Sequence, residues 1–177
     1  MTFLKYFDKH VIHIKLVDKD DSWFMKLISF FLAIGNFLHI TNIQNFMGGY
    51  GTTIGHTLYD NPGWDWDAEP DTHKCHELCH AVQASIKMSL RYLFRPEWRM
   101  FYESECAQCE ILCFPDLVRG DIWFERRVRQ FVAYGIKEKI VRRELTKRLD
   151  EIERGEPRSS AARVAHCLIA WRSEHGA

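Results

Sequence analysis

THKCHELCHAVQ, residues 72–83, is the segment from which the rest of the chain can be placed. Asp71 or Thr72 can cap a helix here, with Pro70 just ahead, and the apolar spacing continues beyond the segment, so the sequence predicts a helix from about Thr72 to Phe94. One stripe of this helix is apolar and should face the core: Cys75, Cys79, Val82, Ile86 and Leu93. The neighbouring stripe should border a cleft or solvent: His76, His80, Gln83 and Lys87.

The pentapeptide HELCH, residues 76–80, places two histidines one helical turn apart with a glutamate directly after the first. Four residues advance about 400° around a helix, so His76 and His80 point within about 40° of each other and can reach one zinc ion at about 2.1 Å. Glu77 lies beside these ligands, within reach of a water on the metal. Zinc lowers the pKa of that water towards about 7, so Glu77 can accept its proton as general base while a carbonyl is attacked, and can later protonate the leaving amine. The spacing predicts a zinc-dependent hydrolase of peptide bonds; the simpler alternative is a helix with two exposed histidines.

A catalytic zinc ion needs a third protein ligand and one open coordination position. Position 86 is Ile86, so no third histidine follows at the HExxHxxGxxH spacing. A carboxylate from the next predicted helix, Glu97 to Phe114, is the other solution, and the candidates are Glu97, Glu103, Glu105 and Glu110. A plain helical hairpin turning near Pro96 favours Glu110, whereas a wider connection favours Glu103, and periodicity leaves the choice open.

Three stretches resemble the small zinc metallopeptidases of the gluzincin kind, in which two histidines and a glutamate bind zinc. HELCHAVQ resembles their HELxHxxQ helix, YESECAQ resembles their glutamate motif, and MGGYGTTIGHTLYDNP is similar to the strand ahead of the active-site helix in compact peptidases of bacteria and their phages. The resemblance covers residues 48–114 and implies that Glu103 is the third zinc ligand and Glu105 a second carboxylate. Cys106 replaces the usual alanine of the glutamate motif, and Ala107 replaces an aspartate or aromatic residue.

The resemblance also implies a minimal zincin-like fold with a small sheet, an active-site helix and a glutamate helix. Its edge strand, Thr52 to Tyr59, would bind a protein or peptide substrate as an added strand. Four side chains are candidates to stabilise the oxyanion, although each is more simply a surface histidine or a half-buried aromatic residue: His56, Tyr59, His73 and Tyr102.

The remaining periodicities predict an α+β, mainly helical fold for the single domain 1–177, with a metallopeptidase-like core at 48–114 and a helical C-terminal extension at 121–177. Residues 10–17 alternate as a strand does, and 23–40 are apolar enough for a helix. Further helices are predicted at 121–134, at 136–154, and from residue 159 or 160 to about 172. Residues 23–40 are too short for a span of about 20 apolar residues, so a core helix is favoured, with contact to a membrane surface left open.

Composition narrows the function classes. The formal net charge is zero, which argues against a chain that coats nucleic acid. Acids and histidines interrupt any signal-peptide core at the N-terminus, so we expect a cytoplasmic protein with reduced thiols. The resemblance implies that it is bacterial or encoded by a phage. Buried apolar packing is the favoured role of the six cysteines, ahead of metal binding.

Two other functions stay in view. One is a non-catalytic scaffold stabilised by zinc, or a phage structural protein that keeps the fold. The other is a nucleic-acid module with a zinc knuckle at Cys75, Cys79, Cys106 and Cys109, but these residues lie on continuous helices, whereas knuckles use turns. The sequence leaves the substrate and the oligomeric state open.

Overall fold

The computed structural model describes residues 1–37, 51–60, 66, 71–84, 92, 95–116 and 121–176. It is mainly helical with a small mixed sheet, which confirms the predicted fold class. The first half contains α1 (Phe3–His10), β1 (Lys15–Asp18), a 3-10 turn (Lys19–Asp21), α2 (Trp23–Phe37), β2 (Thr52–Ile54) and β3 (Thr57–Asp60). The second half contains α3 (Thr72–Gln83), α4 (Pro96–Cys113), α5 (Asp121–Ala133), α6 (Glu138–Glu153) and α7 (Ser159–His175).

The sheet has the strand order β1-β3-β2, with β1 parallel and β2 antiparallel to β3. The single strand predicted from Thr52 to Tyr59 is wrong, because this stretch is a hairpin in which Ile54 pairs with Thr57. Gly55 permits the reversal by adopting a φ of 61°, a left-handed conformation that costs glycine little. Of the two arms, β2 lies at one edge of the described sheet, opposite β1, and β3 lies between them.

The N-terminal strand begins later than predicted. Of the predicted strand 10–17, only residues 15–17 lie in β1, and His10 ends a helix, α1, that Thr2 caps by accepting a hydrogen bond from the Lys5 amide. This helix packs on α7, where the rings of Phe3 and Trp171 lie 5.6 Å apart and the Trp171 indole donates to the Met1 carbonyl at 2.9 Å. The first and last described helices therefore pack against each other and contribute to the same hydrophobic core.

Helix α3 begins as predicted but ends early. Asp71 caps it, accepting a hydrogen bond from the Lys74 amide at 2.8 Å. The helix ends at Gln83 because Ala84 has an extended backbone, with ψ of 122°, so its predicted continuation to Phe94 is wrong. The predicted core residues Ile86 and Leu93 lie outside the described residues, as does the predicted turn at 61–63.

Helix α4 lies at the centre of the described structure, because other helices pack against two of its sides. One core lies between α1, β3, α3, α4 and α7 and includes Phe7, Leu58 and Leu78. A second core lies between α4, α5 and α6 and includes Met100 and Phe131. Because both sides of α4 are covered, even its carboxylates at 103, 105 and 110 are buried.

Helix α2 has an unusually apolar exposed surface. Trp23, Phe30, Phe31 and Phe37 are each more than half exposed, whereas Met25 is fully buried. The described residues therefore do not enclose it as they would a core helix. Among them, no helix has both the length and the apolar character needed to cross a membrane.

Candidate metal centre

The two histidines of HELCH are buried at the contact between α3 and α4. His76 is 6% exposed and His80 7% exposed. The prediction that their stripe borders a cleft or solvent is therefore wrong at these two positions, since α4 packs directly across them. A helix with two exposed histidines is excluded as well.

Glu103 brings its carboxylate to the same side of both imidazole rings. Its Oε2 lies 3.1 Å from Nε2 of His76, and its Oε1 lies 3.6 Å from Nε2 of His80. Glu103 itself is 4% exposed. The three side chains predicted as zinc ligands are thus brought together from two successive helices.

The other three candidate carboxylates lie elsewhere on α4, where Glu105 accepts a hydrogen bond from Gln83. Glu97 is exposed near the start of α4. Glu110 does reach a histidine, but its Oε1 lies 2.7 Å from Nδ1 of His76, the ring nitrogen that faces away from Glu103. Arg127 and Trp123 of α5 donate to the other oxygen of Glu110. Glu110 therefore holds the ring of His76 from behind.

A second chain of hydrogen bonds orients His80. Its Nδ1 lies 3.0 Å from Oε1 of Gln83, and the amide nitrogen of Gln83 donates to Glu105 at 2.8 Å. Ser160 of α7 also donates to Glu105, at 2.9 Å. Because Gln83 presents its carbonyl oxygen, Nδ1 of His80 donates to it, and Nε2 is the ring nitrogen that would bind a metal in the neutral imidazole.

Cys106 adds a thiol behind His80. Its Sγ lies 3.3 Å from Nδ1 of His80. The buried group His76, His80 and Cys106 could hold a metal ion, since one ligand atom from each lies within 4.8 Å of the others. A metal ion could therefore bind His80 in either of two ways: through Nε2 together with the Glu103 carboxylate, or through Nδ1 together with the Cys106 thiol.

The electrostatics of the centre favour a positive charge. Burial alone would lower the pKa of His76, but the carboxylates of Glu103 and Glu110 raise it to about 10. Burial would raise the pKa of Glu103, yet hydrogen bonds from His76 and His80 hold it well below its usual value. Two buried carboxylates beside one imidazole give the centre a negative charge that would stabilise a bound cation.

Glu77 is positioned by β2 rather than by the histidines. Thr53 donates to its Oε2 at 2.7 Å and also to its backbone carbonyl at 3.3 Å. Gly51 lies so close that a Cβ there would approach Cδ of Glu77 to 3.3 Å and Nε2 of His73 to 3.0 Å. The predicted general base therefore lies between the face of α3 that carries His76 and His80 and strand β2.

Lys19 is a buried cation near this carboxylate, and no pattern in the sequence singled it out. Burial lowers its pKa to about 8, while the charges of Glu77 and Asp60 oppose that shift. The lysine is fully buried in the turn after β1. It adds positive potential beside the predicted base, which the alternation of residues 10–17 could not reveal.

Tyr92 is a second residue that sequence reasoning missed. Its hydroxyl donates to Oε1 of Glu103, and burial together with that carboxylate raises its pKa well above the usual value. The guanidinium of Arg99 lies 5.4 Å from the centre of its ring. No spacing signal marked Tyr92, because the sequence placed it inside a continuous helix.

The four predicted oxyanion candidates are spread apart. His73 is the nearest to the predicted base, with Nε2 3.8 Å from Oε1 of Glu77. Tyr102 offers its backbone carbonyl to the Gln83 amide at 3.2 Å. His56 is exposed in the hairpin turn, and Tyr59 is half-buried in β3.

Comparisons with protein-family models, with curated proteins and with solved structures found no match to this chain. The interpretation of the centre therefore rests on its residues and their geometry.

Proposed function

We propose that this protein is a zinc-dependent metallopeptidase that hydrolyses peptide bonds in a protein or peptide substrate. The observation that carries the proposal is the Glu103 carboxylate facing Nε2 of both HELCH histidines in a buried centre. Two histidines and a glutamate are a ligand set of catalytic zinc sites.

His76, His80 and Glu103 would hold the ion. The Glu103 side of His80 is favoured over the Cys106 side, because Nδ1 of His80 already donates to Gln83. The carboxylate of Glu110 behind His76 also fits, since metal-binding histidines commonly donate their other ring N–H to such a partner. When bound, zinc polarises a carbonyl group and makes water acidic enough to act as a nucleophile near neutral pH.

Glu77 would move the proton. It follows His76 directly in sequence and is held by Thr53 at 2.7 Å. It can accept a proton from the attacking water and pass it to the leaving amine. A substrate lying along β2 would place its backbone next to this carboxylate, because β2 is an edge strand of the described sheet and its Thr53 contacts Glu77.

The test separates metal binding from turnover. Glu77→Gln should keep about one zinc per chain and lose cleavage of a peptide library, while His76→Ala should lose both. His166→Ala, which changes an exposed histidine of α7, is the matched control and should keep both. Metal is measured by mass spectrometry of the purified chain, and cleavage by mass spectrometry of the peptides. Wild-type cleavage rates in Glu77→Gln would contradict the proposed mechanism.

One observation favours a second function, a zinc-stabilised scaffold without turnover. The three ligand side chains are nearly inaccessible, and Tyr92 donates to Glu103, one of them. Structural zinc sites are closed in this way, whereas catalytic sites keep one position accessible. Stoichiometric zinc with no cleavage of any peptide pool, in wild type and in Tyr92→Phe, would select this function.

A further inference from the structure

The carboxylate of Glu103 presents its two oxygens to different partners. Its Oε2 lies 3.1 Å from Nε2 of His76. Its Oε1 lies farther from the second histidine, at 3.6 Å from Nε2 of His80, and accepts a hydrogen bond from the hydroxyl of Tyr92. Because Glu103 is almost completely buried, these neighbours rather than bulk solvent determine how each oxygen is used.

Tyr92 is held in place by Arg99, which lies on α4 one turn before Glu103. The Nε atom of Arg99 donates to the backbone carbonyl of Tyr92 at 3.3 Å, and the guanidinium lies 5.4 Å from the centre of the tyrosine ring. The same guanidinium donates to the backbone carbonyl of Tyr134 at 3.2 Å, just after α5. The His80 ring meets the Tyr92 ring edge-on, with centroids 6.1 Å apart. The tyrosine is therefore fixed relative to both helices of the centre.

The hydrogen bond from Tyr92 makes the two oxygens of Glu103 unequal as metal ligands. A carboxylate can bind a metal ion through one oxygen or through both. Hydrogen bonds to an ionised carboxylate are among the strong ones, so an ion that recruits Oε1 must compete with the tyrosine hydroxyl. Oε2 accepts no such bond from a tyrosine and lies closer to its histidine. Partners of this kind orient the side chains that bind metals.

We propose that Tyr92 is a positioning residue that restricts Glu103 to binding the ion through Oε2 alone. The inference rests on the proposed function, because it requires an ion held by His76, His80 and Glu103. A carboxylate that binds through one oxygen occupies one coordination position and leaves the fourth position accessible to other ligands, as a catalytic zinc site requires. Binding through both oxygens would bring Oε1 into competition for that fourth position.

The first test measures how Glu103 binds zinc in the full chain. The infrared spectrum of the zinc-loaded minus the zinc-free protein isolates the carboxylate that binds the ion. Its antisymmetric and symmetric stretches are widely separated when one oxygen binds and closer together when both bind. Wild type should show the wide separation. Tyr92→Phe removes only the hydroxyl, so Oε1 becomes available and the separation should narrow while zinc stays bound.

The second test measures whether the fourth position is accessible. Azide bound to Co²⁺ changes the visible spectrum of the ion, so titration of the Co²⁺-substituted chain gives an azide dissociation constant. This constant should rise in Tyr92→Phe, because azide must then compete with Oε1. Tyr6→Phe is the matched control, since the Tyr6 hydroxyl also donates to a carboxylate, that of Glu174 at 2.7 Å, where α1 packs on α7. The control should match wild type in both tests.

Three results would overturn the proposal. The first is a narrow separation of the stretches already in wild type, which would mean that both oxygens bind although Tyr92 is present. The second is a phenolate-to-metal charge-transfer band in Cu²⁺-loaded wild type, which would make Tyr92 itself a ligand. The third is equality of Tyr92→Phe and wild type in both tests. Because the first two results come from wild type, they decide the question even if Tyr92→Phe does not fold.

Failure of the proposed function gives a different pattern of results. If wild type binds neither Zn²⁺ nor Co²⁺, or if a cobalt–thiolate band places the ion at Cys106, the ligand set is wrong and both proposals fall. If wild type binds zinc with widely separated stretches and Tyr92→Phe narrows them, but no peptide is cleaved, the role of Tyr92 stands and only the peptidase activity is refuted.

Discussion

Glu110→Gln tests whether the buried Glu110 carboxylate orients the His76 ring for metal binding. Glu110 is fully buried and accepts hydrogen bonds from three donors, with His76 at Oε1 and with Arg127 and Trp123 at Oε2. Glutamine has nearly the same shape but only one acceptor oxygen. If that oxygen faces His76, the amide group opposes Arg127 and Trp123; if it is reversed, the amide opposes the N–H of His76. Either orientation sets one donor against another inside the protein.

The magnitude follows from these contacts. Removing the partner behind a metal-binding histidine typically weakens metal binding about 10–100-fold, or about 1.4–2.7 kcal/mol. The unsatisfied donors should cost about 1–3 kcal/mol of unfolding free energy in addition. The zinc dissociation constant is measured by competition with a chromophoric chelator, and the unfolding free energy by urea titration of the metal-free chain.

Glu97→Gln is the matched control for this prediction, because Glu97 lies on the same helix but is exposed. It should leave both quantities within experimental error of wild type. Zinc affinity within twofold of wild type in a folded Glu110→Gln protein would refute the reasoning, because His76 would then not depend on the buried carboxylate for its orientation.

Two further predictions concern the positioning of Glu77 as general base and the loss of folding stability at acid pH. Thr53→Val removes the hydroxyl that donates to Glu77, so kcat for peptide cleavage should fall about tenfold with zinc content unchanged, and an unchanged kcat would show that Thr53 does not position the base. Burial alone would raise the pKa of Glu151, but hydrogen bonds from Arg148 and Arg158 hold it below its usual value, so its stabilisation is present at neutral pH and is lost as pH falls through the lowered pKa. Chemical denaturation between pH 7 and pH 3 should therefore show a smaller acid-induced loss of unfolding free energy in Glu151→Gln than in wild type, and equal losses would contradict this assignment.

The parts of the fold that follow from local signals were predictable. The start of α3 follows from the capping carboxylate of Asp71, and the limits of α4 follow from Pro96 and Pro115. The pairing of His76 with His80 follows from helix geometry alone. These features need only residues close together in the chain.

Features that depend on contacts between distant segments were not predictable. Choosing Glu103 over Glu110 requires the rotation of α4 about its axis, which is set by packing against α5, α6 and α7. Periodicity left that choice open, and the resemblance supplied it. The hairpin at Gly55 was missed because alternation continues through it, and the burial of the histidines was missed because an imidazole on a helix surface reveals nothing of what packs over it.

The hydrogen bonds from Ser160 through Glu105 and Gln83 to His80 link the centre to α7. Helix α7 is synthesised after all the other described elements. His80 therefore acquires its final orientation only when α7 has been made and has packed on the centre. If the proposed zinc site forms, we therefore expect a nascent chain to bind the ion tightly only once α7 has been synthesised, and chains that stall before residue 160 to release it readily to chelators.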